Sequence, residues 1–95
     1  MSFYVYIVAS KRNGTLYIGH TDDLWMRVQQ HKDHTFRGFT AKYDVATLVW
    51  CETWPTRDEA FRRERQMKKW NRIWKIELIE RFNPEWRDLW DEITL

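Results

Sequence analysis

Tyr4-Val5-Tyr6-Ile7 and Leu16-Tyr17-Ile18-Gly19-His20-Thr21-Asp22-Asp23-Leu24-Trp25-Met26-Arg27, joined through Lys11-Arg12-Asn13-Gly14, are the stretch on which the fold turns. Phe3 to Val8 is a continuous apolar run rich in β-formers, as expected of a strand covered on both faces. Asn13 and Gly14 tolerate positive φ and mark a hairpin turn, which makes Leu16 to Gly19 the short antiparallel partner. A helix is predicted directly afterwards, from Asp22 to about His31. Thr21 is its expected N-cap, and Asp22 and Asp23 lie at the positive end of its dipole. Leu24, Val28 and His31 then fall at i, i+4 and i+7 on the inward stripe, which Arg27 borders. A guanidinium on the core side is costly unless it meets an anion.

Outward from that unit, Lys32 to Thr40 has no period and reads as a loop. His34, Arg37 and Lys42 gather around it beside Phe36 and Tyr43. Ala46 to Thr53 reads as a third strand with Leu48-Val49-Trp50-Cys51 at its centre, ended by Pro55. Thr56-Arg57-Asp58-Glu59 fits a capping box. In the helix it starts, Ala60, Phe61, Glu64, Met67 and Lys68 share one face, so Glu64 points with small and apolar residues, away from Arg62, Arg63 and Arg65. A carboxylate there calls for a metal, an arginine or a hydroxyl, and a salt bridge to Arg27 would meet that need without any chemistry. Asn71 reads as the cap of a further helix through Ile73, Trp74, Ile76, Leu78 and Ile79. Asn83-Pro84 reads as N-cap and N1 proline of a last short helix carrying Trp86, Leu89, Trp90 and Ile93. The order β-β-α-β-α-α-α describes an α/β domain over residues 1–95, a small three-stranded, mostly antiparallel sheet flanked by helices.

Ninety-five residues, 43% hydrophobic and 17% aromatic, suit one globular domain with a modest core. A net charge of +2 argues little, but its distribution is uneven: Arg57 to Lys75 holds eight Lys/Arg against three Asp/Glu, and Ile76 to Leu95 two against six. A basic helix face and an acidic tail follow, or else two solvated helices of mixed charge. Cys51 lies in an apolar run and reads as a small buried hydrophobe. The opening apolar run is short and ends at Lys11-Arg12, unlike a signal peptide, and no segment approaches the ~18 apolar residues of a membrane span. The expected location is the cytoplasm, with no membrane partner.

The sequence has no Cys/His spacing for zinc, no phosphate-binding glycine loop and no Gly-x-Ser-x-Gly elbow. Tyr6-Ile7, Tyr17-Ile18-Gly19, and Arg27 eight residues after that glycine remain, with Ala60-Phe61-Arg62-Arg63-Glu64-Arg65-Gln66-Met67-Lys68 and Asn83-Pro84. This pattern resembles the GIY-YIG nuclease domain in its small single-domain bacterial branch, and nearly the whole chain is covered. The first triplet departs from the family pattern, reading Tyr4-Val5-Tyr6 without its glycine. The resemblance implies a metal-dependent endonuclease that hydrolyses phosphodiester bonds in DNA. By position its catalytic groups are Tyr6, Tyr17, Arg27 and Glu64. His31 matches a histidine that some branches place one turn after the arginine, although packing beneath Val28 would also account for it. Asn83 matches a functional asparagine, although Asn-Pro is also a good helix cap.

One glutamate can hold a single hard cation, Mg²⁺ or Mn²⁺, that keeps most of its waters and gains phosphate oxygens as ligands. Arg27 can meet phosphoryl oxygens with both arms of its fork. A tyrosine is a poor base at its ordinary pKa of about 10, but a nearby metal and guanidinium favour its phenolate. Tyr6 is expected nearest the attacking water and Tyr17 to orient water or phosphate, with the reverse assignment open. Backbone phosphates are expected on Arg37, Lys42, Lys68 and Arg72, and stacked bases on Phe36 or Tyr43, which suits structured or single-stranded DNA. Trp70 and Trp74 could stack bases or belong to the core. Two other readings stand beside this one: a nucleic-acid-binding module with little or no cleavage, and a protein-interaction module using the basic helix and Trp-rich acidic tail. The Trp-rich C-terminal segment leaves room for a homodimer.

Overall fold

The computed structural model describes residues 2–35 and 42–93. β1 (Phe3–Ala9) is the central strand of a three-stranded sheet, between β2 (Leu16–Thr21) and β3 (Thr47–Trp54), and both pairings are antiparallel. Its central place is why Val5 to Ala9 are all buried: an unbroken apolar run has neither face to give to solvent. The β1–β2 hairpin turns through Asn13 at φ 58, the positive φ that an Asn-Gly turn allows. Its register sets Tyr6 opposite Gly19 and Val8 opposite Tyr17, on one face, and Val5 opposite His20 on the other.

Helices cover both faces. α1 (Leu24–Lys32) packs Leu24 and Val28 against Tyr6 and Val8, together with Val45, Leu48 and the C-terminal Leu89. α2 (Arg57–Lys68) and α3 (Arg72–Phe82) cover the other face, where Ala60, Met67, Leu78 and Ile79 meet Val5, Ile7, Ile18 and Trp50. A short α4 (Trp90–Ile93) packs beside α1. The element order among the described residues is the expected β-β-α-β-α-α-α.

Two local expectations need correction. Thr21 belongs to β2 and Asp23 is the N-cap of α1, accepting from the Met26 N–H at 3.0 Å, while Thr21 Oγ1 accepts from Asp23 N–H at 3.1 Å. The strand continues because Thr21 still pairs with Tyr4, so capping passes to the next short acceptor that is free of the ladder. Asn83 ends α3 instead of starting a helix. It is 2% exposed; its Nδ2 donates to the Val49 and Arg87 carbonyls and its Oδ1 accepts from Arg87 N–H, which clips the tail to β3. Asp88 extends that clip to Leu48 N–H and Lys32. The Trp-rich tail is engaged within the chain, with Trp86 in the core and Trp90 stacked on Trp25 at 5.4 Å. Thr56 does cap α2, accepting from Glu59 N–H at 3.2 Å, and Asn71 caps α3. No helix among the described residues is long and apolar enough to cross a membrane.

Candidate active site

β2 is an edge strand, and the chemistry-bearing residues converge around its edge from both faces of the sheet. Tyr6, Tyr17, Gly19, His20, Arg27, Arg57 and Glu64 line one cleft of about 260 Å³. Tyr6, Tyr17, Arg27 and His31 come from the α1 side. Glu64 comes from the α2 side, because the apolar period of α2 turns it inward with Ala60 and Met67. An ion pair between Arg57 and Asp22, 2.9 Å long, lies among the lining residues.

Gly19 makes the meeting possible. A Cβ at this position would stand 2.5 Å from the Tyr6 hydroxyl and 2.7 Å from Cζ, inside any attainable contact, so the Tyr6 ring crosses β2 only where no side chain stands. Gly19→Ala is expected to push the ring aside and cost about 1–3 kcal/mol by overpacking, and a cleavage activity that uses Tyr6 would fall with it. Denaturant unfolding and cleavage on one preparation check this. Wild-type values for both would show that the Tyr6 ring does not need the gap.

The Tyr6 hydroxyl lies 2.9 Å from His31 Nε2, and Tyr17 tilts over both rings, 6.5 Å from Tyr6 and 5.3 Å from His31 between centroids. Burial, and behind it the Arg27 charge, lowers the His31 pKa to about 4. His31 is therefore neutral at pH 7, and in the tautomer with its proton on Nδ1 its Nε2 accepts from the Tyr6 O–H. Burial pushes the Tyr6 pKa well above its ordinary value, with Tyr17 and Glu64 adding to the rise; Arg27 opposes it and is outweighed. The expected easy phenolate is therefore not what these residues produce by themselves: burial outweighs the guanidinium, and Tyr6 holds its proton against His31.

His31 also ties stability to pH. Its folded pKa of about 4 lies below the unfolded value near 6.5, so between those values the unfolded chain binds the proton that the folded chain refuses. The contribution of a neutral His31 is complete above pH 6.5 and is lost as pH falls through 4. His31→Gln, which keeps a hydrogen-bonding group beside Tyr6, should show a smaller drop in melting temperature from pH 7 to pH 4.5 than wild type. Equal drops would mean that His31 is not held neutral.

Glu64 is 7% exposed, with Oε1 held by His20 Nδ1 at 3.1 Å and Lys68 Nζ at 3.6 Å. These two partners meet the need for which an Arg27 salt bridge was the expected alternative. His20 is the functional candidate that sequence reasoning missed. It shares a strand face with the apolar Leu16 and Ile18, and a histidine closing such a stripe was a visible signal; the strand period directs it toward α2, where Phe61 braces its ring at 5.5 Å.

The remaining expected contacts scatter. Lys68 reaches over the Tyr17 ring, 5.6 Å from its centroid. Lys42 is exposed over Tyr43, and His34 pairs with Asp44 at 2.8 Å. Arg72 is not at the cleft but holds the hairpin turn, donating to the Asn13 and Gly14 carbonyls. Arg37 and Phe36 lie outside the described residues. Trp74 is 54% exposed rather than core.

Among the described residues no three His, Cys, Asp or Glu side chains gather as a metal cage. The donor set nevertheless fits a hard cation. One shielded carboxylate at the cleft, its two contacts both on Oε1, suits an ion that completes its shell with water and phosphate oxygens.

A family model described as the GIY-YIG catalytic domain matches residues 2–77. The chain is 37% identical over 83 residues to a UPF0213 protein of Staphylococcus aureus (strain Mu3), spanning 83% of this chain and 95% of that one. It is 35% identical over 77 residues to a UPF0213 protein of Staphylococcus haemolyticus, spanning 81% and 93%. Its fold is similar to the solution NMR structure of a UPF0213 protein from Bacillus halodurans, with TM-score 0.56, 26% identity and 93% of each chain covered. The matched span contains Tyr6, Tyr17, Arg27, His31 and Glu64, the residues that meet around Gly19, and the chain belongs to the GIY-YIG family.

Proposed function

We propose that this domain is a metal-dependent endonuclease that hydrolyses phosphodiester bonds in DNA, with a preference for structured or single-stranded substrates. The family match indicates a nuclease-type function. The observation that carries the reading is the Tyr6–His31 hydrogen bond, in one cleft with Arg27 and Glu64. Tyr6 can take a proton from water only after giving up its own, and His31, 2.9 Å away, is placed to receive it once a bound cation and the substrate phosphate offset the burial that disfavours both charged forms. Tyr17 orients water or phosphate from across the pair. Arg27 neutralises the charge growing on the phosphoryl oxygens. Glu64 would hold a divalent ion, Mg²⁺ or Mn²⁺, which when bound polarises the phosphate and supports the leaving oxygen. Lys68 and Lys42, with Arg37, are assigned to the phosphate backbone of the substrate.

The test is direct. Purified protein is incubated with flapped, branched, single-stranded and duplex DNA, with Mg²⁺ or Mn²⁺ and with chelator. Cleavage that requires the metal and favours the non-duplex substrates supports the proposal. Metal-independent cleavage, or binding without cleavage on every substrate, sinks it. The second outcome returns the domain to a nucleic-acid-binding module.

A further inference from the structure

Next to the cleft, at the hairpin end of β2, the hairpin turn and the first turn of α3 border a second hollow of about 530 Å³. Its walls include Lys11, Arg72 and Lys75 and no carboxylate. Arg72 is fixed there by the turn: Nη2 donates to the carbonyls of Asn13 and Gly14, each at 2.6 Å. Those acceptors are neutral, so the guanidinium is positioned without being neutralised, and both bonds use one of its nitrogens. Lys75 is half-buried and Lys11 exposed, and neither has an ion-pair partner among the described residues. Like charges gathered on a partly desolvated surface repel, and an anion between them removes that cost. A guanidinium fork flanked by two ammonium groups matches a phosphate.

We propose that this hollow binds a backbone phosphate of the same DNA strand that is cut in the cleft, so that the substrate strand runs along the outer edge of β2. The inference rests on the nuclease reading of the cleft. β2 is an edge strand, so among the described residues no further strand pairs along its outer side. Gly14, in the turn, and Gly19, in β2, lie five residues apart, so at about 3.3 Å per residue the phosphates at the two sites are separated by at most roughly 17 Å. At a rise of about 3.4 Å per nucleotide, some five nucleotides bridge them, and fewer if the strand is stretched. Lys68, over Tyr17 and 3.6 Å from Glu64, supplies a cation at the cleft end of the track.

The experiment measures binding of single-stranded oligonucleotides of three and twelve nucleotides, in chelator, to wild type and to the Lys11→Gln, Lys75→Gln double variant. Arg72 is left in place because it holds the turn. For the twelve-mer the double variant should bind about 20-fold more weakly at 0.1 M salt, and its log–log salt slope should fall by about 1.4, two contacts at about 0.7 each. The trinucleotide, too short to span both sites, should distinguish the proteins far less. If Lys75→Gln lowers the melting temperature, Lys11→Gln alone should still cost the twelve-mer about fivefold. Equal affinity of the variant for the twelve-mer, or an equal loss on both lengths, overturns the track while leaving the cleft reading intact. Wild type that binds no DNA of either length overturns both.

Discussion

Glu64→Gln is expected to abolish cleavage, by about 10³-fold or more, while DNA binding in chelator stays intact or improves. A divalent ion on a phosphoryl oxygen is worth several kcal/mol of transition-state charge stabilisation, and each ~1.4 kcal/mol is a factor of ten. Glu64 is the shielded carboxylate facing Tyr6 and Tyr17 across the cleft, and glutamine holds a divalent ion far more weakly. Binding survives because the variant removes a negative charge from the path of the phosphate. The fold survives too: glutamine has nearly the same volume and keeps an amide oxygen for His20, while burial of an ionised carboxylate is relieved. Rates and melting temperature measured over a Mg²⁺ series decide the matter. A Glu64→Gln protein cutting at the wild-type rate would remove the residue from the mechanism, whatever its stability.

Arg27→Lys should lower the cleavage rate by roughly 10²-fold or more with little loss of stability. Lysine retains the charge but presents a point where the guanidinium presents a fork, so it cannot hold two phosphoryl oxygens at once. A purely structural Arg27 would behave differently. Its expected structural partner was Glu64, whose Oε1 carries His20 and Lys68, and a structural role for Arg27 would show as lost stability in the lysine variant. Melting temperature and cleavage rate on the same variant separate the roles. Lost stability with normal specific activity would make Arg27 a structural cation.

What could be read in the sequence was what is encoded locally. The Asn13-Gly14 turn, the apolar run of β1, the Thr56 N-cap and the Asn71 cap each depend on residues within a few positions of one another, so each appears in the structure as expected. The inward direction of Glu64 was legible for the same reason, since the 3.6-residue period places it with Ala60 and Met67. Asn83 shows the limit of such reasoning. Asn-Pro is a good start for a helix, but the Asn83 amide is worth more at the end of α3, where Val49 and Arg87 satisfy it in the core.

The sequence by itself therefore determined the elements, their order and the chemical types available to a site. Only the tertiary structure decided how those types combine. Tyr6 and Glu64 lie on opposite faces of one sheet, and no local period can say that a glycine at an edge strand lets them share a cleft. The His20–Glu64 and Tyr6–His31 pairs span 44 and 25 residues. Such partners are chosen by which helix covers which face, and that choice is made by burying the apolar stripes of α1 and α2 as whole surfaces.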